Sequence, residues 1–311
     1  MFRNLVKKIV SKLLGRPLFL DATQLRTILG QNAILASRAG KSHFKNLWDA
    51  EVKVFSQWGE DGILDYLCDF LDLSKPRVLE LGAGDFSECN SRYLAINRNA
   101  SVFAVDARKD LELGIVKCGL LWKNEIKSLN TWITPKNINS ILNQATDFLK
   151  QIDLISIDID GMDYWIASKI DFTNIQIVVV EYNAIFGSKQ AVTIPFSENF
   201  SRFNAHHSGL YYGASLLAWV RLFDTFSMQF VGTNRVGNNA FFVKSEKAKN
   251  LDIRIPDVSD LSNYVDWRCR EGRDLEGKLT YNELEINKQI IGNLTVKNIE
   301  SGELIKVSEV F

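Results

Sequence analysis

RVLELGAGDFSECNSRYLAINRNASVFAVD, residues 77–106, decides the fold class. It contains two apolar runs, at 78–81 and 102–105, and a near-continuous apolar run is typical of a strand buried on both faces of a parallel sheet. The intervening residues 82–101 are enough for a crossover helix. The stretch therefore predicts a strand–helix–strand unit of a doubly wound α/β sheet.

Small and acidic residues follow these two strands. Gly82 and Gly84 come directly after the first strand, where the lack of a side chain lets the backbone approach a ligand closely. Asp106 ends the second strand and is placed to accept hydrogen bonds from a ribose diol. We expect an adenosine cofactor at these residues, with Asp85 beside it.

Further strands and helices alternate along the chain. Apolar runs near 125–129, 152–159 and 177–180 are separated by predicted helices, which indicates a five-stranded parallel core. A hairpin at 228–243 predicts an antiparallel edge strand. The predicted domains are a helical segment, an α/β domain and an appendage with a helix and a hairpin, at 1–50, 51–243 and 244–311.

The first fifty residues differ from the rest in composition. Residues 1–20 combine a basic face with apolar residues at helical spacing, and no acid occurs before Asp21. This pattern fits a helix lying on an anionic membrane surface, or a helix packing on the body or on a second copy in a homo-oligomer. Residues 21–50 are predicted to be a helical connector or cover.

Charge and cysteine content narrow the function classes. The 37 basic and 37 acidic side chains give zero formal net charge, which argues against a general nucleic-acid binder. The four cysteines contain no CxxC pair, a pattern that fits a reducing cytoplasm, and three histidines are too few for a histidine-rich metal site.

The glycine motif distinguishes between cofactors. A dinucleotide fold uses GxGxxG, but Ser87 stands where the third glycine would be. Glu80 lies two residues before the first glycine, and this ExGxG pattern with Asp106 resembles the first motif of class I S-adenosylmethionine (SAM) methyltransferases. That resemblance implies a seven-stranded mixed sheet of the Rossmann-like type, with SAM as the cofactor.

Six segments together resemble the FkbM-like methyltransferases: SQWGEDGIL, LELGAGDFSECNSRYL, IDLISIDIDGMDYW, VVVEYNAIFG, YYGASLLAW and NNAFFV. The resemblance covers roughly residues 50–311, although residues 156–161 lack a lysine that many members carry. It implies an O-methyltransferase acting on a sugar hydroxyl of a surface glycan or nucleotide sugar. Two alternatives are an NAD-dependent oxidoreductase on a nucleotide sugar and a non-catalytic sugar-binding protein.

Acidic residues follow two neighbouring strands. Asp158 and Asp160 end one strand, and Glu181 and Asn183 end the next. Oxygen ligands of this kind suit Mg²⁺, a placement that metal-using sugar O-methyltransferases share. Asp160 is therefore a candidate catalytic residue, and Asp158 is also expected next to the cofactor. Alternatively, Asp160 or Asp163 caps the next helix.

Two more groups are candidates for the site. His206 and His207 lie in a long aromatic segment at 184–212, where a histidine could serve as general base or merely hydrogen-bond at the surface. Gln57 lies with Glu60 and Asp61 at the head of a helix before the first strand. These three either cap the helix or contact the cofactor.

Overall fold

The computed structural model describes residues 22–38, 44–260, 263 and 272–311. The basic segment predicted at residues 1–20 lies outside these described residues. Among the described helices, none is long and apolar enough to cross a membrane.

The strands and helices alternate as predicted between residues 77 and 181, and the helix predicted at 138–149 agrees at both ends. The helices and strands of the described residues are, in chain order, α1 Ala22–Arg38, α2 Glu60–Phe70, β1 Arg77–Leu81, α3 Ser91–Arg98, β2 Ser101–Asp106, α4 Leu111–Lys117, β3 Ile126–Asn130, α5 Ile138–Leu149, β4 Leu154–Ile157, α6 Asp163–Ala167, β5 Ile177–Glu181, β6 Val192–Thr193, α7 Arg202–Ala205, α8 Leu216–Asp224, β7 Met228–Thr233, β8 Asn239–Lys244, α9 Ser245–Ala248, α10 Leu284–Ile291, β9 Thr295–Asn298 and β10 Leu304–Lys306.

The main sheet has seven strands in the order β3-β2-β1-β4-β5-β8-β7. The first five are parallel, and β8 is antiparallel to both β5 and β7. This confirms the predicted seven-stranded mixed sheet of the class I SAM methyltransferase fold. The predicted hairpin supplies the antiparallel pairing at this edge: the chain first reaches the edge as β7 and then returns as β8 between β7 and β5.

Apolar side chains from the strands face two layers of helices. Val78 and Leu79 are adjacent in β1 and both fully buried, yet they belong to separate apolar clusters on opposite faces of the sheet. Such alternation is expected when helices cover both faces. The polar residues at the carboxyl ends of the strands are thereby left at one edge of a rigid core.

A second, three-stranded sheet has the order β10-β9-β6. The strands β9 and β10 form a hairpin in the part of the chain predicted as an appendage, while β6 comes from the segment 184–212 and pairs with β9. The aromatic segment 184–212 is therefore anchored to the carboxyl-terminal part of the chain. This anchoring places residues 196–203 over the carboxyl ends of the main strands.

Candidate active site

The turn after β1 approaches the turn after β4 closely at Gly82. This residue has φ +94°, and a Cβ atom built on it would lie 1.6 Å from the carbonyl oxygen of Asp158. Its amide donates to the Val105 carbonyl oxygen at 2.9 Å. Only glycine satisfies both the left-handed backbone and this separation, so Gly82 is what allows the ends of β1, β2 and β4 to meet.

Asp106 holds the backbone around this meeting point. Its Oδ2 accepts from the Gly84 amide at 2.7 Å, and its Oδ1 accepts from the Arg108 amide at 2.8 Å. A carboxylate offers about four acceptor sites, so both oxygens keep the capacity to accept from a ligand hydroxyl. The predicted ribose-binding residue therefore lies at the edge of the cavity described below, already oriented by the backbone.

Glu80 lies beneath the cavity and is almost fully buried. Its carboxylate accepts from the Asn90 amide at 2.8 Å, from the Ser91 amide at 3.0 Å and from the Ser91 hydroxyl. Burial raises the pKa of Glu80, and the bonds from Ser91 and Asn90 oppose that rise. Glu80 thus fixes the start of α3 relative to β1.

Three acids converge beyond the ends of β4 and β5. Each of Asp158, Asp160 and Glu181 offers a carboxylate oxygen, and the three oxygens lie within 4.8 Å of one another. The side chain of Asp160 is 72% exposed, while Glu181 is buried. The predicted acidic cluster is therefore present for three of its four residues, and its oxygen-only composition suits a hard divalent cation.

The turn that carries Asp160 is shaped by a buried carboxylate. Asp163 accepts from the amides of Ile159 and Gly161, each at 2.7 Å. Burial raises its pKa to about 6, against the effect of these two bonds. Of the two residues proposed as a cap, Asp163 is the one that orders this turn, and Asp160 (φ +59°) instead projects its carboxylate outward.

Arg202 links α7 to the acidic cluster. Its Nη1 donates to Asp160 Oδ1 at 3.1 Å, its Nε donates to the Gly209 carbonyl oxygen, and its guanidinium lies 3.8 Å from the Tyr212 ring centroid. Although charged, Arg202 is only 8% exposed. This cation offsets part of the repulsion among three neighbouring carboxylates.

One cavity of about 710 Å³ brings these groups together. Its volume lies in the range of small-molecule and cofactor sites. Its lining extends from the predicted cofactor residues to the acidic cluster and on to the aromatic segment: Gln57, Glu80, Gly82, Gly84, Asp106, Asp158, Asp160, Glu181, Arg202, Asn239, residues 132–136 and residues 196–203.

The polar residues at the start of α2, Asp61 and the nearby Gln57, have different roles. Oδ2 of Asp61 accepts from the amides of Val54, Phe55 and Ser56 at 2.6–2.8 Å, so Asp61 shapes the preceding loop. Burial raises the pKa of Asp61 to about 6. Gln57, in contrast, lines the cavity as predicted. Asp61 therefore orders the loop and does not cap the helix, whose N-cap is Gly59, and contact between Gln57 and a cofactor stays a prediction.

The structure does not support the prediction that Asn183 is a metal ligand. Its Oδ1 accepts from the Ile185 amide, and its Nδ2 donates to the carbonyl oxygens of Leu210 and Tyr212. The side chain is fully buried in these contacts and is not part of the cavity wall. The amide therefore connects two loops and is not positioned to bind a cation.

Two further predictions differ from the geometry. Asp85 bends back to accept from the Ser87 amide at 3.0 Å and lies outside the cavity lining. His206 contacts the Ser208 hydroxyl through Nδ1 at 2.7 Å, and neither His206 nor His207 belongs to the lining. Burial lowers the pKa of His206. As placed, both histidines are outside the cavity in which a general base would act.

Sequence reasoning missed Arg202 and Asn239. Arg202 stands among the aromatic residues that marked segment 184–212 as functional, but nothing in its spacing indicates its contact with Asp160. Asn239 lies in the predicted hairpin at 228–243, where the sequence carries no signal for a role in the site. It lines the cavity and donates to Glu60 Oε1 at 2.9 Å, which joins β8 to the start of α2.

A scan of protein-family models finds no match to this chain, and a search of curated proteins finds none similar to it. Solved structures with a similar fold include the Methanococcus jannaschii fibrillarin pre-rRNA processing protein, with 9% identity over 55% of this chain and 67% of that one (TM-score 0.36). Another is the N-terminal domain of EvdMO1, crystallised in the presence of SAH and D-fucose, with 7% identity over 72% of this chain and 96% of that one (TM-score 0.38). A third is Burkholderia thailandensis 1,6-didemethyltoxoflavin-N1-methyltransferase, with 11% identity over 58% of this chain and 76% of that one (TM-score 0.35). TM-scores this low support no inference about activity.

Proposed function

We propose that this chain is a SAM-dependent methyltransferase of the FkbM-like type that methylates a sugar hydroxyl of a surface glycan or nucleotide sugar. The observation that carries the proposal is that one cavity joins the group of Gly82, Gly84 and Asp106 to the acidic cluster. A donor and an acceptor bound at its two ends would meet between the turns after β1 and β4.

The donor end is the better defined of the two. Gly82 keeps the floor free of side-chain atoms, and Asp106 presents acceptor oxygens for a ribose diol. When bound there, SAM supplies a methyl group on a sulfonium. In that case the acceptor oxygen would bond to the methyl carbon as the carbon–sulfur bond breaks, with the electron pair left on the sulfur. The protein then has to align the acceptor and remove its proton.

Asp160 is the proposed recipient of that proton. Its carboxylate is exposed within the cavity and is oriented by Arg202, and an acid so placed can act as a general base. Asp158, Asp160 and Glu181 would also hold a Mg²⁺ ion, whose charge favours the alkoxide form of a hydroxyl. Either route assigns the acceptor to the acidic end of the cavity.

The sugar class is supported by the aromatic wall of that end. Phe196 and Phe203 are exposed, yet they line the same cavity as the carboxylates. A pyranose has apolar faces that can pack on aromatic rings and hydroxyls that can bond to acids. This combination favours a sugar over a purely apolar acceptor.

Calorimetry with SAM, S-adenosylhomocysteine and NAD tests the donor. We expect heat with the first two and none with NAD; binding of NAD alone would replace the methyltransferase proposal with the oxidoreductase alternative. Asp106→Ala should weaken SAM binding about 10-fold or more, since it removes a bidentate acceptor. Asp160→Ala should leave SAM binding within about 2-fold, and equal loss in both variants would contradict the division of the cavity.

A donor-consumption assay across nucleotide sugars and glycans tests the acceptor. We expect methyl transfer to at least one sugar, and Asp160→Ala should abolish it. Donor binding without transfer to any sugar would favour the non-catalytic alternative, or a different acceptor class. Repeating the assay with a chelator and with added Mg²⁺ distinguishes metal-assisted from metal-free proton removal.

A further inference from the structure

The inner face of α1 is firmly attached to the protein body. Gly30 and Ile34 are buried, and a Cβ atom on Gly30 would lie 2.4 Å from Val54 Cγ2. Gln31 Nε2 donates to Asn97 Oδ1 at 2.8 Å, at the side of this face. The orientation of α1 about its own axis is therefore determined by packing.

The outer face of α1 is apolar and exposed. Leu25, Ile28, Leu29 and Leu35 are each between 41% and 64% exposed. An amphipathic surface helix normally turns charged and polar residues to the solvent, and a helix that is apolar on both faces is normally covered on both. Within residues 22–38, 44–260, 263 and 272–311, no segment covers this apolar outer face of α1.

The spacing of the outer residues is that of a coiled coil. Positions 25, 28, 32 and 35 are separated by three, four and three residues, which is the a-d-a-d pattern of two heptads. At 100° per residue this row lies opposite Gly30 and Ile34. Asn32 occupies one a position, where a single asparagine specifies register and dimers by pairing with its counterpart.

Charge favours a second copy over a lipid surface. The charged side chains of α1 are Arg26 and Arg38, and both contact the body. The Arg26 guanidinium lies 5.2 Å from the Phe55 ring centroid, and Arg38 is paired with Asp65 at 2.9 Å. Two such outer faces meet without repulsion, whereas an anionic bilayer would find no cation on this face.

We propose that α1 is a dimerisation helix, and that two copies of this chain pair in parallel through their outer faces about a two-fold axis. In this arrangement Leu25, Ile28 and Leu35 each contact the same residue of the other copy, and Asn32 faces Asn32. A contact of this kind is self-complementary, as two-fold symmetry requires. The proposal is independent of the reaction at the cavity.

Sedimentation velocity of the full chain tests the proposal. Two heptads are fewer than the three or four that identify a long coiled coil, so we expect a monomer–dimer equilibrium with a Kd on the order of 10 µM. Ile28→Glu places two carboxylates in the seam and should raise the Kd at least ~100-fold. A wild-type chain that stays monomeric up to about 300 µM would overturn the proposal.

Two matched variants control for a nonspecific effect of a new acid. Ala33→Glu lies on the same helix at the flanking b position, and Leu113→Glu replaces an exposed leucine on α4. Both should keep the wild-type Kd within about 3-fold, and circular dichroism confirms that every variant is folded. Loss of dimer in the controls equal to that in Ile28→Glu would contradict the assigned face.

Asn32→Ile tests the heptad register itself. Because a buried asparagine costs stability and favours two strands, its replacement by isoleucine should tighten association and add trimer or tetramer. Sedimentation with phosphatidylglycerol vesicles tests the alternative that the outer face of α1 binds a lipid surface. Vesicle binding that Ile28→Glu abolishes, by a chain that never dimerises, would assign the face to a membrane instead.

Discussion

Two turns meet at the floor of the cavity, and they are held in different ways. The turn at 82–85 is set by its own sequence and its neighbouring strand, through the left-handed Gly82 and the bond from Gly84 to Asp106. The turn at 158–163 is set by the buried Asp163 and by Arg202 from a distant helix. A site can therefore have one half encoded locally and the other dependent on tertiary contacts.

Gly82→Ala should produce the largest effect on this arrangement. The new Cβ would collide with the Asp158 carbonyl at 1.6 Å in a left-handed conformation, which should cost about 3 kcal/mol or more of unfolding free energy. Gly84→Ala is the control, because its φ is +58° but no atom lies within 4 Å, and should cost about 1 kcal/mol. Urea unfolding measures both, and equal losses would contradict the steric explanation.

The free energy of unfolding should depend on pH through Asp163, in the turn at 158–163. With a pKa raised to about 6, Asp163 holds more protons in the folded than in the unfolded chain above pH 4. Its stabilising contribution is complete below pH 4 and is lost as the pH rises through about 6, by up to about 3 kcal/mol.

Asp163→Asn should remove that decline, measured as unfolding free energy in urea from about pH 4 to 7. Asp171→Asn is the control, because bonds from Thr173 lower the pKa of this exposed acid and its contribution does not fall over the same window. A wild-type curve parallel to that of Asp163→Asn would contradict the assignment.

Arg202→Met should have a smaller effect on stability, of about 2 kcal/mol, since it removes a buried cation from Tyr212 and Gly209 but leaves Asp160 exposed to water. Thermal unfolding measures the loss. Lys136→Met is the matched control at the same cavity. Lys136 pairs with Glu198 at the surface, and its loss should cost less than about 0.5 kcal/mol. If both variants cost the same, Arg202 does not hold the second turn.

The sequence predicted the placement of residues correctly where the signal was local, while their roles stay predictions. Gly82, Gly84 and Asp106 belong to one strand–helix–strand unit. Asp158 and Asp160 follow β4 and Glu181 ends the adjacent β5, so topology alone brings these acids to one edge. Asn183 was misassigned because its partners lie 27 and 29 residues further along the chain. The dimerisation proposal likewise depends on which face of α1 is buried.

The amino-acid sequence by itself determined the parallel core, the glycine turn and the acidic strand ends, because apolar periodicity and residues near one another in the chain specify them. Only the tertiary structure decided that β8 lies inside the sheet, that Arg202 orients Asp160 and that both histidines lie outside the cavity. These features depend on pairings between segments far apart in sequence. Such pairings depend on how the whole core packs, and no local sequence pattern predicts them.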